Sequence, residues 1–376
     1  MRRYDIDALR VIVFGLLILY HVGMFFVPWD FHIKNSDTYE WLKYPMIFVN
    51  RWRLPLLFVI SGMGTCFNIS KRSGFKFAKE RFVRLFIPLV AGILFIVPPQ
   101  IYFERLDAGQ FTGNYFEFWP TKAFTGIYPE GNFSWHHLWF LPYLFLFSLV
   151  LIPVFLYLRN HPQAWMIRKT RHLASLKFGL FVLAIPLLFC EIILSSRFPS
   201  THALVNDWYN NINYCTLFFY GFLLMTLKDA LWENVTKNRR LYLITGVASF
   251  GLMIFLWFSI GGFPCKGIVS DTVVAINEWA WILTIIGYAA TYLNKPSPQL
   301  SYASEAVYPF YILHQTVIIA LAYYLKNVEM CFFAKFSIMA IGTFGISWLI
   351  YEFCIRRFAW IRPLFGMKKP LGDKKK

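Results

Sequence analysis

Ten apolar runs divide the chain, at residues 9–28, 45–66, 85–103, 138–158, 176–194, 211–227, 241–260, 275–293, 303–325 and 335–354. Polar and charged residues fall between the runs and do not alternate within them, so the pattern is not that of half-buried strands. About 20 apolar residues at 1.5 Å rise each cross the roughly 30 Å hydrocarbon core of a bilayer. The pattern therefore predicts an all-α, polytopic membrane helix bundle of about ten transmembrane helices. Pro55, Pro88, Pro153, Pro186 and Pro309 interrupt several runs, which membrane helices tolerate where neighbours re-satisfy the freed carbonyls. The first run is not followed by a small-residue cleavage site, so it reads as a retained span and not as a signal peptide. The chain contains no internal repeat, no separate soluble domain and no Gly-rich phosphate loop.

Composition agrees with the pattern: 57% hydrophobic, 20% aromatic and only 15% charged residues, with a mean hydropathy of +0.49, exclude an ordinary soluble domain. Charge then sets orientation. With a cytoplasmic N-terminus, 27 of the 37 Lys and Arg fall on the inner side. The positive-inside rule is thus satisfied with both termini in the cytoplasm. The net charge of +17 reports topology and contact with anionic membrane lipid, and the loops carry no nucleic-acid module. Residues 1–356 read as one integral membrane domain, followed by a basic cytoplasmic tail, 357–376, that is lipid-bound or unstructured. The six Cys form no CxxC and no Cys/His cluster with ligand spacing, so no metal site is indicated. Cys265 and Cys331 both fall in outer loops, where unpaired thiols are the default and a disulfide is the alternative.

The chemistry concentrates at a few ionisable residues in apolar surroundings. Ten uncharged residues separate Arg10 from His21. At about 100° per residue this spacing returns both to nearly the same helix face, roughly 16 Å apart along the axis. An ionisable side chain inside a bilayer suggests a site, against the even alternative of a His hydrogen-bonded to a neighbouring span. His314 lies at a similar depth on the ninth run, which favours a shared site. Arg81 and Arg84, three residues apart, form a forked donor surface suited to phosphate, reinforced by Lys76 and Lys79. Positive-inside topology explains most of that charge, but not the intrusion of Arg84 and Pro88 into the apolar run. Arg53 stands at the mouth of the second run beside Trp52, in a loop whose aromatics read first as an interfacial belt and second as a sugar-stacking platform. The long outer loop from Glu104 to Ser134 exceeds what a connection needs and suits a cover over an acceptor site. It ends at His136 and His137, either interfacial anchors or residues facing the cavity of His21. Small residues at Ser61, Gly62 and Gly64 are accounted for by close helix packing.

Taken together, Asp7-Ala8-Leu9-Arg10 with the ten-residue gap to His21, Phe58-Val59-Ile60-Ser61-Gly62, Arg81-Phe82-Val83-Arg84 and Tyr308-Pro309-Phe310-Tyr311-Ile312-Leu313-His314 resemble acyltransferase family 3. His137-Leu138-Trp139-Phe140-Leu141 is similar to the branch that includes periplasmic-glucan succinyltransferases. The resemblance implies an enzyme of the bacterial inner membrane. It would pass an acetyl- or succinyl-class group from cytoplasmic acyl-CoA, a co-substrate, to a hydroxyl of an extracytoplasmic glycan, with no permanent cofactor and no metal. The residues fit such chemistry independently. His21 suits a general base near neutral pH, with Arg10 placing the donor and Arg81, Arg84 and Lys79 binding its phosphates. His314, Tyr311, Arg53 and His137 are candidates for acceptor contact or oxyanion donation. Direct transfer and an acyl-His intermediate both stay open, as does oligomeric state. Two other classes compete: a proton-coupled transporter or flippase, although no inverted repeats are found, and a non-catalytic membrane binding protein.

Overall fold

A computed structural model of the protein describes residues 3–260 and 267–368. Among them the architecture is all-α; an isolated bridge between Ile127 and Phe133 is the one trace of β pairing. The apolar runs become ten helical elements: α1 (Tyr4–Met24), α2 (Glu40–Ile69), α3 (Gly74–Asp107), α4 (His136–Val150 with Ile152–Asn160), α5 (Gly179–Leu194), α6 (Trp208–Thr226 with Asp229–Lys237), α7 (Arg239–Ser259), α8 (Ile268–Tyr292), α9 (Pro298–Leu325) and α10 (Phe332–Ile355). Among the described residues the elements agree with a polytopic bundle. Seven elements are long and apolar enough to cross a membrane, nine if α4 and α6 each count once, and α5 is shorter. The protein is an integral membrane protein. Both departures from straight helices have local causes. α4 bends by 51° at Leu151, where Pro153 sits at the start of the second half and cannot donate back across the break. α6 turns by 106° at Lys228, whose φ of 54° ends the helical path.

The chain forms two compact units. The first comprises Met1–Val13, Phe48–Lys79 and Leu146–Leu300. In it α2 and α6 cross at glycines: a Cβ on Gly62 would strike the Phe218 carbonyl, and one on Gly221 would strike that of Val59. The small residues of the second run thus permit backbone contact. α8 lies in the core, where the Trp279 indole donates to Leu180 O at 2.8 Å and the Asn277 amide donates to Gly246 O and Ser249 Oγ. Arg159 closes the C-terminal end of α2, donating to Ile69 O and Arg72 O at 3.0 and 2.7 Å, where carbonyls lack helical partners.

The second unit comprises Phe14–Ile47, Glu80–Phe145 and Ser301–Lys376. Val22, Phe25 and Phe26 pack with Ile318, Ile319 and Met339 in its core. The buried Lys335 is satisfied by donating to Asn35 Oδ1 at 2.6 Å. π-helical turns interrupt α3 at Phe82–Phe86 and Gly92–Ile96. Pro88 has no N–H to return to the Arg84 carbonyl, and the Tyr308 hydroxyl donates to that oxygen instead, at 2.9 Å. This bond accounts for the proline within the apolar run. Residues after Arg356 are ordered through Lys368. Arg362 donates to Glu305 at 2.7 Å, and Met367 is buried with Ala306, Leu313 and Tyr351. The expected tail, 357–376, is thus packed within the second unit over its described part, through Lys368. The question about Cys265 and Cys331 falls on Cys265, outside the described residues.

Candidate functional site

His21, His314, His137, Tyr311, Arg81 and Arg84 belong to the second unit, whereas Arg10, Arg53 and Lys79 belong to the first. The imidazoles of His21 and His314 meet, with Nδ1 of His21 2.8 Å from Nε2 of His314 and the rings stacked at 5.0 Å. His314 is fully buried. Its Nδ1 lies 2.7 Å from the Tyr311 carbonyl. A carbonyl only accepts, so that nitrogen carries the proton and Nε2 of the neutral ring is an acceptor. His21 must then donate from Nδ1, which leaves Nε2 as the unprotonated nitrogen of His21. One backbone carbonyl thereby selects the tautomers of two rings.

His137 packs edge-on against His314 at 5.0 Å. Its Nε2 donates to Ile312 O at 3.0 Å, and the Tyr311 hydroxyl donates to the His137 carbonyl at 2.8 Å. Tyr311 and His137 thus commit their donors to backbone oxygens and support the geometry of the pair. Tyr308 stacks on Tyr311 at 6.2 Å and bonds the Arg84 carbonyl, so contacts run from the Arg81-x-x-Arg84 turn to the imidazoles. The Arg84 guanidinium is partly exposed and 3.4 Å from Glu80. In the first unit, Arg10 lies 3.5 Å from Asp7 and beside Gly64, where a Cβ would sit 3.6 Å from its guanidinium. Arg53 is buried, 3.5 Å from Asn50, and Lys79 is exposed.

Sequence reasoning missed the polar residues that surround the pair. Gln100 donates to Thr316 Oγ1 at 2.8 Å and lies 3.4 Å from His137 Nδ1. Gln315 donates to Gln100 Oε1 at 3.3 Å and lies 3.1 Å from His32 Nε2, while Nδ1 of His32 donates to Glu104 at 2.5 Å. Gln100 and Gln315 carried a usable signal, being uncharged polar residues inside apolar runs, where an amide is costly unless bonded.

Residues 3–352 match the model of the family described as "Acyltransferase domain". "Glucans biosynthesis protein C" of Salmonella heidelberg (strain SL476) is 23% identical over 98% of this chain and 96% of its own. The protein of that name from Escherichia coli (strain K12) is 20% identical over 94% of this chain and 92% of its own. No solved structure gives a significant match.

Proposed function

We propose that the chain, which belongs to acyltransferase family 3, transfers an acetyl- or succinyl-class group from acyl-CoA to a hydroxyl of an extracytoplasmic glycan. The His21–His314 pair carries this reading: it presents an unprotonated imidazole nitrogen on a buried, oriented scaffold, which is what a general base for hydroxyl attack requires. In the proposed reaction His21 Nε2 takes the proton as the hydroxyl oxygen attacks the thioester carbonyl. The C–S bond then breaks, and the proton returns to the departing thiolate. Arg81 and Arg84 bind the donor's phosphates as charge-assisted donors. Arg10 and Lys79 are assigned to donor placement by the sequence pattern alone. In this reading both termini and the donor lie on the cytoplasmic side of a bacterial inner membrane, an orientation supported by the excess of Lys and Arg on that side. The names of the relatives make a glucan the first acceptor to try.

The test is release of CoA thiol by purified protein, given succinyl-CoA or acetyl-CoA, with and without an oligomeric glucan. The proposal requires release that depends on the glucan, with label appearing in it. No transfer from either thioester to any supplied glycan would rule the reading out.

A further inference from the structure

The second unit holds another set of titratable side chains that the transfer scheme does not use. His32, in the segment after α1, Glu104, near the end of α3, and His136, at the start of α4, each place one ligand-type atom within 4.8 Å of the other two. Glu104 lies twenty residues along α3 from Arg84, about 30 Å of helix rise. The cluster therefore sits at the end of that span opposite the arginines.

We infer that His32, Glu104 and His136 form a binding site for one divalent transition-metal ion of the zinc type. Two imidazoles and a carboxylate are a donor set for such ions, and three protein ligands leave a fourth position open. The state of His136 is the strongest observation. Ser134 Oγ accepts from its backbone N–H at 2.9 Å and lies 3.0 Å from its Nδ1. With the proton on Nδ1, Ser134 holds the ring as an outer partner holds a metal-ligating His. The remaining nitrogen, Nε2, is buried and has no hydrogen-bond partner. A buried polar atom left unbonded is costly and calls for a partner. His136 also has φ of 42°, a conformation that a non-glycine residue adopts at a cost and that clusters at binding sites.

The rest of the shell agrees. The rings of His32 and His136 are 4.6 Å apart, and Tyr128 packs edge-on against His136 at 4.7 Å. The Glu104 carboxylate also lies 4.0 Å from Arg105. His32 has Glu104 at Nδ1 and Gln315 at Nε2. When the ion takes Nδ1, the ring proton transfers to Nε2, so proton count is conserved. The three ligands are 72 and 32 residues apart in sequence, which is why no ligand spacing announced them.

The experiment uses the full chain in detergent, with any affinity tag removed, stripped by chelator and dialysed against zinc chloride. Metal content and competition with a chromophoric chelator give stoichiometry and affinity. One zinc per chain is expected. His136→Ala and Glu104→Gln should each weaken binding at least about tenfold, and Ser134→Ala about tenfold through the outer shell. Zinc should raise the unfolding temperature of the wild type and not that of His136→Ala. Should Glu104→Gln fail to fold, His136→Ala carries the test, since its Nε2 makes no bond within the protein. Far less than one zinc per chain, or wild-type affinity in folded His136→Ala, overturns the site. No transfer assay enters, so this failure and failure of the transferase reading are separable.

Discussion

The carbonyl of Tyr311 decides the protonation pattern of two imidazoles, and the consequences are testable one side chain at a time. His314→Gln keeps an oxygen able to accept from His21 Nδ1, whereas His314→Ala removes the acceptor. Turnover should therefore fall at least about tenfold in the alanine variant and less in the glutamine variant, with acyl-CoA affinity little changed in either. Equal turnover in both would mean that His314 does not orient His21. Arg81→Ala and Arg84→Ala should weaken acyl-CoA binding about ten- to hundredfold, since each removes a charge-assisted contact worth roughly 1.5–3 kcal/mol. Unchanged affinity at matched ionic strength would reduce both to topology signals. Away from the site, His202 sits in the α5–α6 loop with its Nε2 3.1 Å from Ser200 Oγ and its backbone N–H bonded to Asp207. Burial pushes its imidazole down to about 4, helped by Arg53 and opposed by Asp207. The folded state then binds fewer protons than the unfolded state between about pH 4 and 6.5. Stability should rise with pH across that window and fall on acidification. His202→Asn should flatten that dependence; a slope as steep as wild type in denaturant titrations would contradict it.

At the scale of helices, proline and tyrosine are coupled across α3 and α9. Tyr308→Phe leaves the Arg84 carbonyl without its donor and should cost about 1–3 kcal/mol. Pro88→Ala restores an N–H to residue 88, so the double variant should recover part of that loss; a strictly additive cycle would refute the link. The helices were legible because apolar length is a one-dimensional signal: the run with Tyr308-Pro309 was placed to within a few residues, whereas α3 begins at Gly74, well before the run read at 85–103, because its first turns, which include Arg81, are charged. The bends were less legible. Leu151 breaks a run that hydropathy alone reads as continuous, and Lys228 turns the chain just past the end of another, because a break depends on φ and on which carbonyls lose partners. The meeting of His21 with His314 followed from depth along two helices. The roles of Gln100, Gln315 and His32 did not, since they depend on which faces turn together.

For the whole molecule, the basic residues predict orientation. Cysteine-accessibility labelling should reach residues in 107–130 from outside and leave 230–238 protected; the reverse would place the donor arginines on the wrong side for a cytoplasmic thioester. The two units are each knit by their own cores, and all the imidazoles of the candidate site lie in the second. The most direct measurement is acyl transfer by His21→Ala, with folding checked by thermal unfolding and donor affinity measured in parallel. If His21 is the base, the variant folds, binds acyl-CoA like the wild type and loses transfer by about 10²- to 10⁴-fold. A folded, donor-binding His21→Ala protein that acylates its glycan at the wild-type rate would contradict that role.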